Sequence, residues 1–302
     1  MMHSIKIYVF PAFTDDYSAH PGQIFPGLME RFRSLVEEAA FAIDPHLQSF
    51  DFQINNFLQD ELRNQFITCL YSCAVSSLLR EKFVIPQMSV GFSMGIYAAM
   101  VDSGAVSVRA ALELIRMAFD SLKEGTLGIH CGMGAIIGLD RKDIEILINQ
   151  NQLDVEISNQ LAPFSFIVSG EYKNIERLLA LSKEEGALHT RIFPVTLPYH
   201  ALLLKSGAQA FAEKIRPIRI GIPANPIISV IDQAVLTTPE ALRDELVRNL
   251  YHPLNWMATC QRLISQGRCE FIECGPSASL IKNARFVEGD YRFLSFNMAM
   301  RQ

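Results

Sequence analysis

Apolar positions change rhythm several times along this 302-residue chain. Ile5-Lys6-Ile7-Tyr8-Val9-Phe10 is a compact apolar run and predicts a first strand. From Pro11 to Gly27 the periodicity lapses around Asp15-Asp16 and Pro21-Gly22, which are turn chemistry. Apolar residues then recur at helical spacing over 28–56 and again over 58–79. Phe83 to Val90 reads as a strand, Ile96 to Val101 as the small, apolar start of a helix, and a further helix is expected from Ser107.

From Gly132 to Pro194 the pattern has an order of its own. Strands are expected at 134–139, 155–159, 166–170 and 190–194, with helices at 140–149 and 171–186. That β-α-β-β-α-β order is the ferredoxin-like split unit, which closes into a small sheet of its own. It predicts a small subdomain at 131–194, inserted between residues 1–130 and 195–302 of one large α/β domain. The tail resumes α/β character, with a strand at 227–230, helices at 239–250 and 255–266, a strand at 269–273 and a turn at Gly275-Pro276.

One strand-to-helix junction carries chemistry. Gly91-Phe92-Ser93-Met94-Gly95 places a serine between two glycines where side chains two residues either side of it would collide in a sharp turn. Such a nucleophile elbow pushes the hydroxyl out of the sheet edge and aims the following N–H groups at its target. The same five residues also suit a glycine-rich turn with a surface serine. A serine nucleophile needs a base, and His200 follows Val195-Thr196-Leu197-Pro198-Tyr199, a strand end that Pro198 takes out of regular pairing. That is where α/β active sites form, although a loop histidine is equally a surface residue.

Composition narrows the setting. Hydrophobic residues make up 49% and charged residues 20% of the chain, which suits one large domain with an insert. A net charge of −5 without a long basic run argues against nucleic acid, while leaving room for a local basic patch that meets an acidic carrier protein. The N-terminus lacks a signal-peptide pattern and no apolar run is long enough to span a bilayer, so a cytoplasmic protein is expected. Cys69 and Cys73 share a helix face, but no second pair completes a zinc spacing. All six cysteines read as buried free thiols, and no metal site is expected.

Longer stretches resemble a known family. VGFSMGIYAAMVDSGAVS is similar to the serine motif of the malonyl-CoA:acyl-carrier-protein transacylases, also found as polyketide-synthase acyltransferase domains. PVTLPYHALLLKSGAQAFAEKI resembles their catalytic-histidine segment, and VEISNQLAPFSFIVSGEYKNIERLLALSKEEGA their small subdomain. LRDELVRNLYHPLNWMATCQRLISQG and EFIECGPSASL resemble the C-terminal helix pair and its Gly-Pro turn.

The resemblance implies an α/β-hydrolase-like large domain and a ping-pong acyl transfer. Ser93 would attack a thioester carbonyl and His200 would take its proton, with CoA or a carrier-protein phosphopantetheine thioester as substrate and no permanently bound cofactor. It implies a backbone carbonyl at Asn255 to orient His200, Asn159 in the cleft, and an oxyanion hole from the N–H of Met94 and the backbone at Phe13. Acyl-carrier protein and acyl-CoA are the implied partners, and the catalytic unit is expected to be a monomer.

Three positions depart from the family. Phe92 stands where histidine is usual, Ile96 where a glutamate or polar residue is usual, and Ala118 where malonyl-type members hold the substrate carboxylate with an arginine. Arg116 lies about 200° round the same helix from Ala118, facing away. A buried carboxylate without a partner costs several kcal/mol. Phe92, Ile96 and Ala118 therefore predict an apolar acyl pocket and an acyl group without a free carboxylate. Two alternatives use the same residues: an acyl-carrier-protein hydrolase, with the same Ser93–His200 pair, and a carrier-binding scaffold without turnover. A lipase-type hydrolase is disfavoured because its acid would fall between Ser93 and His200, where the insert lies.

Overall fold

The computed structural model describes residues 4–12, 25–52, 59–82, 84–276, 280 and 286–301. Its larger sheet has six strands: β1 (Ile5–Phe10), β2 (Met88–Gly91), β7 (Ile227–Ile228), β8 (Val235–Leu236), β10 (Cys269–Glu273) and β11 (Tyr291–Ser295), in the order β11-β10-β1-β2-β7-β8. All neighbours are parallel except β7 with β8. Parallel sheets are covered on both faces, and β1 shows why it reads as a continuous apolar run. Tyr8 and Phe10 enter one core cluster, whereas Ile7 and Val9 enter another on the opposite face.

Helices α1 (Pro26–Ala42), α2 (Glu61–Glu81), α3 (Gly95–Asp102) and α4 (Val108–Gly125) pack together on the first of these clusters. Ser107 caps α4 by accepting from the N–H of Ala110. Two sequence expectations are corrected by proline. Helix α1 stops at Ala42, because Pro45 disfavours helical backbone at Asp44, and 45–49 form a short 3₁₀ turn instead. The strand expected from residue 83 starts only at Met88, after Pro86, which has no N–H to give the ladder.

The second sheet comprises β3 (Cys131–Ile137), β4 (Val155–Ala162), β5 (Ser165–Glu171), β6 (His189–Ile192) and the short β9 (Leu254–Asn255). With α5 (Arg141–Gln150) and α6 (Tyr172–Glu184) it gives the ferredoxin-like order β6-β3-β5-β4, and it has its own core around Ile136, Ile144, Phe166 and Leu178. At its edge β9, which lies far along the chain, pairs in parallel with β4 and ties this unit to the large domain. Three more helices complete the described chain: α7 (Lys205–Ile215), α8 (Pro239–Tyr251) and α9 (Trp256–Ile264), followed by the single turn α10 (Phe296–Ala299). Among the described residues no helix is long and apolar enough to cross a membrane. All six cysteines are free and buried.

Candidate active site

The elbow forms because neither of its glycines has room for a side chain. A Cβ on Gly91 would stand 2.3 Å from the Cα of Ile96, and one on Gly95 would stand 2.0 Å from the carbonyl oxygen of Phe10. Between them Ser93 takes φ +54°, the left-handed region that a residue with a Cβ adopts only when its surroundings impose it. The turn closes with Gly95 N–H donating to Phe92 O at 2.9 Å. It leaves the N–H of Met94 at the free N-terminal end of α3.

His200 is the partner. Its Nε2 lies 2.7 Å from Ser93 Oγ, and its Nδ1 lies 2.6 Å from the backbone oxygen of Asn249. A carbonyl can only accept, so Nδ1 carries the proton and Nε2 is free to receive one from the serine. His200 is also left-handed, at φ +63°, and its N–H donates to Leu250 O. Both Ser93 and His200 are buried. Burial lowers the histidine pKa to about 4, opposed in part by the Asn249 carbonyl, so the imidazole is neutral near pH 7.

The segment leading into His200 is pegged to α2. Glu61 Oε2 accepts from both the N–H and the hydroxyl of Thr196, at 2.9 and 2.8 Å. Gln65 Nε2 donates to the Tyr199 hydroxyl at 2.8 Å. From the small subdomain, Ser169 Oγ donates to Tyr199 O at 2.8 Å and lies 2.7 Å from Ser158 Oγ. A recess of about 820 Å³ lined by Phe32, Phe50 and Phe52 lies elsewhere, between α1 and the segment after it, and none of its lining residues belongs to this cluster.

No family model matches the chain. Over 212 residues, 69% of this chain and 67% of its relative, it is 29% identical to the malonyl CoA-acyl carrier protein transacylase of Bacillus subtilis (strain 168). Over 274 residues, 89% of this chain and 92% of the relative, it is 23% identical to the polyketide biosynthesis malonyl CoA-acyl carrier protein transacylase PksC of the same organism. Its fold overlays that of the malonyl CoA-acyl carrier protein transacylase of Coxiella burnetii with a TM-score of 0.85 and 25% identity, covering 99% of this chain and 96% of the other. In sequence and in fold this chain is similar to the malonyl CoA-acyl carrier protein transacylases. Its relatives and structural neighbours are acyltransferases, and so is this chain.

The carbonyl that meets His200 is that of Asn249, not of Asn255 as the sequence resemblance implies. The reason is helical. Asn249 lies in the last turn of α8, where backbone oxygens have no intrahelical partner, whereas Asn255 caps α9 and its own oxygen accepts from Thr259. Phe13, the other expected oxyanion position, lies outside the described residues.

The expected pocket residues separate. Ile96 and Ala118 sit in the core cluster shared by α2, α3 and α4. Phe92 instead packs edge-on against Trp256 at 5.7 Å on the sheet's other face, so the three do not form one wall. Strand direction explains this, since Phe92 continues the alternation of β2. Ala118 is fully buried. Arg116 turns from it towards α1, donating to Ile43 O at 3.1 Å, with its guanidinium 5.6 Å above the Phe66 ring. Asn159 is buried on β4, between Ile167 and Leu254, and its Oδ1 has no hydrogen-bond partner among the described residues. Sequence reasoning missed Glu61, Gln65 and Asn249. Their partners are 135, 134 and 49 residues away along the chain, and no local pattern announces such pairs.

Proposed function

We propose that this transacylase moves an acyl group without a free carboxylate from CoA or carrier-protein thioester to the phosphopantetheine thiol of an acyl-carrier protein, through an acyl-Ser93 intermediate. The Ser93–His200–Asn249 line carries the reading. His200 Nε2 takes the hydroxyl proton as Ser93 Oγ attacks the thioester carbon. Met94 N–H, with a donor from the segment around Phe13, steadies the oxyanion. Collapse breaks the C–S bond, and His200 returns the proton to the departing thiolate. The incoming thiol repeats the cycle in reverse, losing its proton to His200 as its sulfur takes the acyl group and restores Ser93.

Absence of a carboxylate follows from charge. The two named relatives carry malonyl in their names, yet here Ala118 is apolar and buried, and Arg116 is committed to Ile43 and Phe66. A malonyl carboxylate there would be desolvated without a cation. The deep burial of both dyad residues also favours transfer to a thiol over release to water.

The test is to load the protein with acetyl, longer acyl and malonyl thioesters, weigh the intact chain, and then add carrier protein with a free phosphopantetheine thiol. Loading by uncharged chains followed by acyl transfer to the carrier is expected. Malonyl loading alone would overturn the substrate class. Free acid in place of acyl-carrier would establish the hydrolase, and carrier binding without any adduct the scaffold.

A further inference from the structure

Asn249 touches both halves of the dyad. Its backbone oxygen accepts from His200 Nδ1 at 2.6 Å, while its side-chain Nδ2 donates to the backbone oxygen of Ser93 at 3.0 Å. The residue is buried, so both contacts are made away from water. Both of the residues it joins are left-handed, at φ +54° and +63°, and neither conformation is favoured by the residue's own sterics.

We propose that the Asn249 side-chain amide is a positioning residue that locks the Ser93 peptide, fixing Oγ in line with His200. The inference rests on the Ser93–His200 reading above and adds a role separate from the orienting carbonyl. Ser93 O also accepts from Ile96 N–H at 3.2 Å, within the first turn of α3. That contact ties the serine to its own helix. The Asn249 contact ties it to α8, which also carries the carbonyl facing His200. Rotation of the Ser93 peptide would swing Oγ away from Nε2, and a second anchor on its oxygen opposes that rotation. The two roles can be separated, because every substitution at 249 keeps a backbone oxygen and only the side chain loses its donor.

Asparagine and aspartate have the same shape but opposite hydrogen bonding. A carboxylate at 249 would face the Ser93 oxygen acceptor to acceptor, and only its protonated form could donate. The experiment measures acetylation of Ser93 by p-nitrophenyl acetate, read by intact mass, for the wild-type chain, Ser93→Ala, Asn249→Ala and Asn249→Asp from pH 5 to pH 8. Ser93→Ala is expected to form no adduct. Asn249→Ala is expected to acylate about 10- to 100-fold more slowly, with KM changed less than about threefold. Asn249→Asp is expected to be as slow at pH 8 and to recover as pH falls. A carboxylate near His200 raises the histidine pKa and would by itself make the acid loss worse, so recovery in acid reports the restored donor. Glu245, one turn earlier on α8 with its pKa pushed by burial up to about 7, titrates in both proteins and cancels in the comparison.

An adduct on Ser93→Ala would remove the dyad reading itself. With that control clean, a wild-type rate for Asn249→Ala overturns the positioning role. So does an Asn249→Asp profile that stays low at every pH, and this isosteric variant decides the matter if the alanine variant does not fold.

Discussion

Ser93 and His200 are held from several sides by hydrogen bonds, whereas Ile96 and Ala118 sit in an apolar core cluster. Both regions lie on the same helical layer, since α3 packs on α4 and both pack on α2. At the reacting end, two left-handed residues require an exact backbone, and Asn249, Gln65, Glu61 and Ser169 supply it from three other elements. At the other end, under the proposed function, only the volume and charge of a few side chains matter. The proposed function therefore makes acyl chemistry and acyl choice separable: a single residue should change one and leave the other standing.

The largest effect should come from the reacting end. Replacing Ser93 with alanine is expected to abolish the adduct, and replacing His200 with alanine to slow acyl loading by roughly a thousandfold or more, measured as the rate of adduct formation. The pH dependence follows from the same histidine. Its folded pKa is about 4, so loading should hold level from pH 8 to about pH 6 and fall only as the imidazole protonates near pH 4. Stability has the same sign. A folded pKa below the unfolded value, about 6.5, gives stability that is complete above that value and lost as pH falls towards about 4.

Ala118→Arg sharpens the comparison from the recognition end. It is expected to raise malonyl loading relative to acetyl by about tenfold, and to lower Tm because an unpaired buried cation costs several kcal/mol. The Ser93–His200 pair should still acylate. Smallest of all is Arg116→Gln. Because this side chain faces Ile43 and Phe66, the substitution should alter the acetyl-to-malonyl ratio less than about twofold and cost about 1 kcal/mol in denaturant unfolding. A large change in selectivity would place Arg116 at the acyl group.

Local features were legible in the sequence. The elbow is five residues long and its glycines are required by contacts within the same turn and the adjacent strand, so the pattern alone points to Ser93. The caps at Ser107 and Asp140 and the strand at 269–273 are equally local. Helix α7 and strand β11 carry no equally local signal, and the helical spacing of apolar residues runs on through Pro45, where the helix itself does not. The orienting carbonyl was placed at Asn255, six residues late, because which backbone oxygen is free depends on where α8 ends. Linear proximity of Phe92 to Ser93 suggests a pocket position but does not reveal which face of the sheet it joins. Glu61 and Gln65 depend on α2 lying beside a segment far along the chain, and only the assembled fold shows that.

The central claim is that Ser93 carries an acyl group without a free carboxylate. Its most direct test is competition: an equimolar mixture of acetyl-CoA and malonyl-CoA is offered to the intact chain, and the adduct is weighed before turnover. The account predicts an acetyl adduct in large excess, lost in the Ser93→Ala variant. A predominant malonyl adduct on Ser93 would contradict it.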